Sequence, residues 1–184
     1  MAGRSSHELD ITNGRIFPKY LTFIIPMALS YMLQIAFNAA DVIVVGRFNG
    51  PDALAAVGST TALVSLIVNF IVGLSNGVNI VIARDYAAER FDKVSDEVHT
   101  AVLSALIGGI LFGIIGVASA RPILELMKSP DNVIDMSSAY LSVYYIGLPG
   151  LALYNFASAI LRAIGDTKRP MNFLIVSGVL NVIL

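Results

Sequence analysis

The sequence predicts an all-α membrane protein, a polytopic bundle of transmembrane helices with its N-terminus in the cytoplasm. Long stretches without a charged residue alternate along the chain with short charged segments. Charged residues make up 14 % of the 184 residues, against ~25 % in soluble domains, while apolar residues reach 56 %. Because about 20 consecutive apolar residues suffice to cross a hydrocarbon core, each uncharged stretch is predicted to be a membrane-spanning helix.

The uncharged stretches predict four complete spans and an incomplete fifth. Residues 1–19 are polar and are predicted to form a cytoplasmic segment, and residues 20–184 are predicted to form part of a transmembrane bundle. The fifth stretch supplies roughly 22 Å of helix against a core of ~30 Å, so we interpret the chain as a piece of a larger protein. The predicted spans cover about 20–45, 53–83, 98–120, 136–161 and 170–184.

The basic residues set the orientation of these spans. Nine of the 12 Lys and Arg residues lie in the N-terminal segment and in the second and fourth connectors, 84–97 and 162–170. The first connector, a tight loop predicted over 46–52, and the third connector hold only three. Since cytoplasmic loops are enriched in Lys and Arg, the N-terminus is predicted to be cytoplasmic, and Asp41 then lies in the outer half of its helix.

The first span carries an acidic residue inside an apolar helix. Asp41 is followed by further apolar residues, and an ionisable group at membrane depth is costly enough to indicate a functional site. At ~100° per residue, Ser30, Gln34, Asn38 and Asp41 fall within an arc of roughly 80°. Two plainer interpretations remain for this stripe: its amide and hydroxyl groups could simply hydrogen-bond neighbouring helices, and Asp41 could be solvated near the outer headgroups.

Two spans contain proline at places where a helix is predicted to deform. Pro26 in the first span removes one backbone hydrogen bond, so a kink is predicted there. In the fourth span Gly147, Pro149 and Gly150 indicate a broken or flexible point. Broken helices beside buried polar groups are common where transporters bind substrate, and the alternative is a kink that serves packing only.

The remaining spans show faces suited to contact with protein. Small residues recur every fourth position in the third span, a pattern of close helix packing. The second span has one polar or small face, and the fifth aligns two polar residues, Ser177 and Asn181, one turn apart. The small residues of the third span are Ala101, Ala105, Gly109 and Gly113. The face of the second span consists of Gly58, Thr61, Ser65, Asn69, Gly73 and Asn76.

The sequence offers no chemistry typical of an enzyme. Cys is absent, which excludes thiolate nucleophiles and Cys-type metal sites. None of the zinc-protease, serine-hydrolase or P-loop motifs occurs, and His7 and His99 lie outside any ligand spacing. The sequence also contains no cluster of basic residues dense enough to indicate nucleic-acid binding. We therefore predict a transport or other membrane function, with no enzyme activity, no cofactor and no nucleic-acid partner.

Four ordered motifs carry a resemblance to a known family. The motifs are IPMALSYMLQIAFNAADVIVVGRFNGPDALAAVG from residue 25, GLSNGVNIVIARDYAA from residue 73, YLSVYYIGLPGLALYNF from residue 140 and LRAIGDTKRP from residue 161. In this order and spacing the chain resembles the N-terminal part of multidrug and toxic compound extrusion transporters. The similarity covers nearly the whole chain beyond about residue 10.

The resemblance implies twelve helices in two six-helix lobes in the cell membrane (the inner or plasma membrane), with this chain as most of the first lobe. It implies export of amphipathic or cationic compounds coupled to H⁺ or Na⁺, with membrane lipid and the C-terminal remainder of the transporter as further partners. Asp41 matches a first-helix acid implicated in cation coupling. Phe37 stands where many relatives carry Tyr, so a hydroxyl near Asp41 is missing. Polar positions of the same lobe cavity are matched by Gln34, Asn38, Asn155 and Asn181.

The implied mechanism uses one charge to bias a bendable helix. Asp41 would alternate between a charged state and a state neutralised by a proton or Na⁺, and neutralisation would let the first helix bend at Pro26. Two other classes stay open at this stage. An exporter or flippase of lipid-linked oligosaccharides would show more basic residues facing the cavity, and the predicted spans carry none. A non-transporting membrane module would tolerate Asp41→Asn.

Overall fold

The computed structural model describes residues 16–183, and every regular element within that range is an α-helix. Residues 1–15 of the predicted cytoplasmic segment lie outside the described residues. The described helices are α1 (Ile16–Phe48), α2 (Gly50–Ala87), α3 (Phe91–Leu126), α4 (Ile134–Ile146), α5 (Leu148–Ala163) and α6 (Lys168–Ile183).

Three helices are long and apolar enough to cross a membrane, and α4 with α5 forms a fourth candidate if that bent pair counts as one span. The longest of them, α2, has 38 residues and therefore measures about 57 Å, well beyond a hydrocarbon core of ~30 Å. The charged ends of α2 are therefore expected to extend outside the apolar layer. The first three predicted spans lie within α1, α2 and α3, and the fourth is divided between α4 and α5.

The junction of α1 and α2 is much tighter than the sequence predicts. Asn49 alone separates the two helices, and its backbone N–H donates to the Val45 carbonyl at 2.9 Å. Gly50 follows with φ +85°, a conformation that glycine adopts without steric cost. The loop predicted over 46–52 is therefore wrong, because the helical hydrogen-bond pattern continues almost to the turn on both sides.

The core of the bundle lies where α3 packs against α4 and α5. The small-residue face of α3 is buried there, as the sequence predicts. A Cβ atom on Gly109 would lie 2.6 Å from Cα of Pro149, and one on Gly113 would lie 2.8 Å from the Tyr145 carbonyl oxygen. Glycine is thus required for the backbone of α3 to approach the break between α4 and α5.

The fourth span is broken at Gly147, where α4 and α5 meet at 47°. Pro149 lies in the first turn of α5, a position where a missing N–H leaves no helical bond unmade. The break falls within the segment that the sequence marks by its Gly and Pro residues. A role of Pro149 as a hinge stays a prediction.

Hydroxyl and amide groups tie α2 to the broken span. The Ser59 and Ser137 hydroxyls lie 2.9 Å apart, joining α2 to α4. Asn79 Nδ2 donates to the Ala159 carbonyl at 2.7 Å, joining α2 to α5. In an apolar environment such bonds satisfy groups that water cannot reach, so α2, α4 and α5 form one tightly connected unit.

An acidic pair connects the charged ends of α2 and α3. Asp85 is buried, and its Oδ1 lies 3.1 Å from Nε of Arg84 and 2.8 Å from a guanidinium nitrogen of Arg90. The Glu97 carboxyl hydrogen-bonds to Asp85. The hydrogen bond from Arg84 lowers the pKa of Asp85, while burial, aided by the hydrogen bond to Asp85, raises the pKa of Glu97. Asp85 is therefore the charged member and Glu97 the member that holds a proton more readily.

Replacing Glu97 with Gln should stabilise the protein at neutral pH and flatten its pH profile. A raised pKa in the folded state means that the contribution of Glu97 to stability is complete below its unfolded pKa and is lost as pH rises through the folded value. The side-chain amide that the substitution introduces can donate to Asp85 at any pH. We expect a higher midpoint of thermal unfolding at pH 7, and a smaller gain on acidification than in the wild-type protein.

The control for this prediction is Asp96→Asn, which removes an exposed charge from the neighbouring residue. Thermal unfolding would be followed in detergent from about pH 4, near the ordinary pKa of a Glu carboxyl, to about pH 8. Identical pH profiles for Glu97→Gln and the wild-type protein would show that the carboxyl pair carries no such linkage.

Candidate functional site

A polar cavity lies between α1, α2, α5 and α6. Its volume is about 80 Å³, which is room for a few water molecules or one small polar group. Helix α5 contributes four of its polar lining residues and α1 contributes three. The lining consists of Met27, Ser30, Tyr31, Gln34, Val68, Val72, Leu151, Tyr154, Asn155, Ser158, Arg162, Thr167, Pro170 and Leu174.

The cavity brings together two of the five residues predicted for cation coupling. Gln34 of α1 and Asn155 of α5 both line it, although they are far apart in sequence. Asn155 Nδ2 donates to the Leu151 carbonyl of its own helix at 2.8 Å, so the amide is oriented by α5. The side-chain oxygen of Asn155 is left to accept a hydrogen bond from a proton donor or to coordinate a cation.

Asp41 lies outside the cavity but on the same face of α1 as Gln34. The two residues are seven positions apart, with Asn38 between them, and all three are exposed in this chain. Within residues 16–183 the Asp41 carboxylate makes no hydrogen bond or ion pair. A stripe of oxygen-bearing side chains thus leads from the cavity along α1 to a carboxylate.

Asn181 is exposed on α6, away from the cavity lining. One turn earlier on the same helix, Gly178 is buried, and a Cβ atom there would overlap the ring of Phe37. The aromatic ring therefore packs directly on the α6 backbone and fixes α1 against α6. Phe37, which the resemblance marks as a departure from Tyr, has a packing role at this contact.

Pro26 is buried within a continuous α1. The Ser30 hydroxyl donates to the Pro26 carbonyl at 2.8 Å, a side-chain bond to the preceding turn that often accompanies bending. Ser30 also lines the cavity. A movement of α1 near Pro26 would therefore change the shape of the cavity. The assignment of Pro26 as a hinge stays a prediction.

Arg162 lines the cavity although the sequence predicts no basic residue there. The predicted fourth span ends at Leu161, one residue before it. The structure corrects this, because α5 continues to Ala163 and Arg162 lines the cavity. Ser158 precedes it by one turn on the same face. Extending the helical spacing of Leu151, Asn155 and Ser158 by four residues would have found it.

The connection from α5 to α6 closes this end of the cavity. Asp166 is buried, and its Oδ1 accepts hydrogen bonds from the backbone N–H groups of Lys168 and Arg169, both at 3.1 Å. Asp166 thereby caps α6. Tyr154 donates to the Pro170 carbonyl at 3.3 Å. These bonds fix the position of Thr167, which lies between them and lines the cavity.

Comparison with known proteins places this architecture in a family. The MatE family model matches residues 26–184. Two Bacillus subtilis proteins described as probable multidrug resistance proteins, YoeA and YpnP, are 35 % and 30 % identical to this chain over 88 % and 95 % of its length. The chain spans 35 % and 39 % of those two relatives.

A solved structure shares the fold. It is described as a crystal structure of MATE in complex with MaD3S, and it superposes with a TM-score of 0.89 at 24 % sequence identity. The match covers 98 % of this chain and 40 % of the solved one. Together with the apolar helices, these matches identify a multi-pass membrane protein, and the chain belongs to the MatE family of multidrug and toxic compound extrusion transporters.

Proposed function

We propose that the whole protein is a cation-coupled antiporter that exports amphipathic or cationic drugs and toxic compounds across the cell membrane. This chain forms most of its first lobe. The observation that carries the proposal is the stripe on α1, where Gln34, Asn38 and Asp41 lead from a polar cavity to a carboxylate inside an apolar helix. The related proteins described as multidrug resistance proteins support the same class of activity.

In this proposal the coupling ion, H⁺ or Na⁺, binds at Asp41. Neutral oxygen atoms around the path of this ion are supplied by Gln34, Asn38, Asn155 and Asn181. Such atoms solvate a cation without adding charge to the membrane interior. Neutralising Asp41 lowers the cost of desolvating that face of α1. Helix α1 can then move into a more apolar position, with deformation at Pro26 within α1 and at the Pro149 break between α4 and α5.

The polar face of α2 is consistent with an aqueous pathway. Its small and polar residues are exposed in this chain, in contrast to the buried hydroxyls of Thr60 and Ser75 on the other side of the helix. A polar face toward lipid is unfavourable. We infer that the exposed faces of α1 and α2 line the substrate pathway between the two lobes of the whole transporter.

The test is transport by the purified full-length transporter in proteoliposomes. A fluorescent amphipathic cation would be followed while an inward H⁺ or Na⁺ gradient is imposed separately. We expect substrate to move against its own gradient with one of the two ions, and this movement to stop when an ionophore collapses that gradient. Movement that is insensitive to both gradients would contradict the antiporter proposal.

A further inference from the structure

Arg162 is the single charged residue among the side chains that line the cavity. The ion pairs found among the described residues engage Arg84, Arg90, Arg121 and Arg169. None of them involves Arg162, which is half-buried at the end of α5. A partly desolvated guanidinium without a counter-charge is unfavourable, and because Arg stays protonated it favours an anionic group nearby.

Two buried hydroxyl groups accompany Arg162 at this end of the cavity. Ser158 is 4 % exposed and Thr167 is 3 % exposed, and both line the cavity. Thr167 Oγ1 is buried and has no hydrogen-bond partner among the described residues. Buried polar groups are normally paired, so a hydroxyl left unpaired beside a guanidinium leaves an available donor at the site.

The composition of this end of the cavity favours an anion over a second cation. Arginine supplies N–H donors in a planar fork that matches a carboxylate or phosphate group, and each hydroxyl can add one donor. No carboxylate faces them from α1, α2, α5 or α6 among the lining residues. Asp166 is nearby in the chain, and its Oδ1 accepts hydrogen bonds from the first turn of α6. Its Oδ2 makes no hydrogen bond among the described residues but is ion-paired with Arg169 at 3.1 Å.

We propose that Arg162, with Thr167 and Ser158, forms an anion subsite that binds the carboxylate or phosphate group of an amphipathic substrate. The proposal rests on the proposed transport function and narrows its substrate class to compounds that carry an anionic group beside their apolar and cationic parts. A volume of about 80 Å³ holds one such group, so the rest of the substrate lies in the wider pathway along α1 and α2.

The test compares two dyes that differ in one group, an amphipathic amine dye bearing a free carboxylate and its ethyl ester. Equilibrium binding of each dye to the purified full-length transporter would be measured by fluorescence anisotropy, followed by gradient-driven transport in proteoliposomes. The variants are Arg162→Gln and Arg162→Lys. The second keeps the positive charge but loses the planar set of guanidinium N–H donors. Lys168→Gln is the control, because it removes an exposed charge from the first residue of α6, close to the same end of the cavity in sequence.

We expect Arg162→Gln to weaken binding of the carboxylate dye by about tenfold or more, the range for a charged hydrogen bond, and to leave the ester within about twofold. Arg162→Lys should fall between Arg162→Gln and the wild-type protein, and Lys168→Gln should match the wild-type protein for both dyes. Equal losses for both dyes, or no loss for the carboxylate dye, would overturn the anion subsite.

The two readouts separate this subsite from the proposed function. A preference for the carboxylate dye that depends on Arg162, without gradient-driven movement of either dye, would contradict antiport and support the subsite. Gradient-driven movement of the ester that is indifferent to Arg162, with no preference for the carboxylate dye, would support antiport and refute the subsite. Thermal unfolding of each variant would verify that the folded state is retained.

Discussion

Asp41→Asn should reduce ion-driven export by the full-length transporter to the level of protein-free liposomes. The substitution keeps the shape and hydrogen-bonding capacity of the side chain but removes the charge that would bind the coupling ion. If Asp41 were a structural polar contact, Asn would serve nearly as well. In residues 16–183 the carboxylate makes no hydrogen bond or ion pair whose loss could unfold α1, so membrane insertion and folding should be retained.

The measurement is efflux of an amphipathic cation against an imposed H⁺ or Na⁺ gradient, with the amount of folded protein determined by size-exclusion chromatography. Asp52→Asn is the matched control, because it removes an exposed acidic charge from the first turn of α2. That variant should transport at the wild-type rate. Wild-type efflux by a normally folded Asp41→Asn variant would refute the coupling role and return Asp41 to a structural interpretation.

Gly109→Ala should destabilise the bundle by about 1–3 kcal/mol, the usual cost of overpacking. The new methyl group would lie 2.6 Å from Cα and 3.1 Å from N of Pro149, and 3.2 Å from the Leu148 carbonyl oxygen. All three are backbone atoms, so no side-chain rotation relieves the overlap and α3 must move away from α5. The intrinsic preference of a helix for Ala over Gly, about 1 kcal/mol, offsets only part of this cost.

The neighbouring Gly108 provides the control, because a Cβ atom there would meet nothing within 4 Å. Gly108→Ala should be neutral or stabilising by up to about 1 kcal/mol. Thermal unfolding of the two variants in the same detergent isolates the packing effect from the helix preference, which they share. If both variants unfolded at the same temperature, close approach of α3 to the break in the fourth span would not limit stability.

The parts of the fold that could be predicted from the sequence are those that depend on local patterns. Long uncharged stretches indicate spanning helices because hydropathy is a property of consecutive residues. The buried face of α3 follows from small residues at every fourth position, such as Gly109 and Gly113. The prediction of a loop over 46–52 was wrong because the turn-forming residues in this stretch indicate several non-helical positions. In the structure, Asn49 and the positive φ of Gly50 suffice to make the turn between the two helices.

The candidate site could be predicted only in part because it depends on how helices pack. Gln34 and Asn155 were both identified as polar residues in apolar spans, but no local pattern shows that they share a cavity. Arg162 was missed because a charge at the end of an uncharged stretch resembles a connector residue. Its significance comes from the cavity that it lines together with residues of α1 and α6, and from the unpaired hydroxyl of Thr167.

The one-residue link at Asn49 restricts how α1 can move. Consecutive Cα atoms are about 3.8 Å apart, so the end of α1 at Phe48 cannot translate away from α2 and acts as a pivot. Displacement then grows with distance from that pivot and is greatest toward Ile16. In the predicted orientation the pivot lies on the outer side of the membrane, so any swing of α1 is expected to displace its cytoplasmic end most.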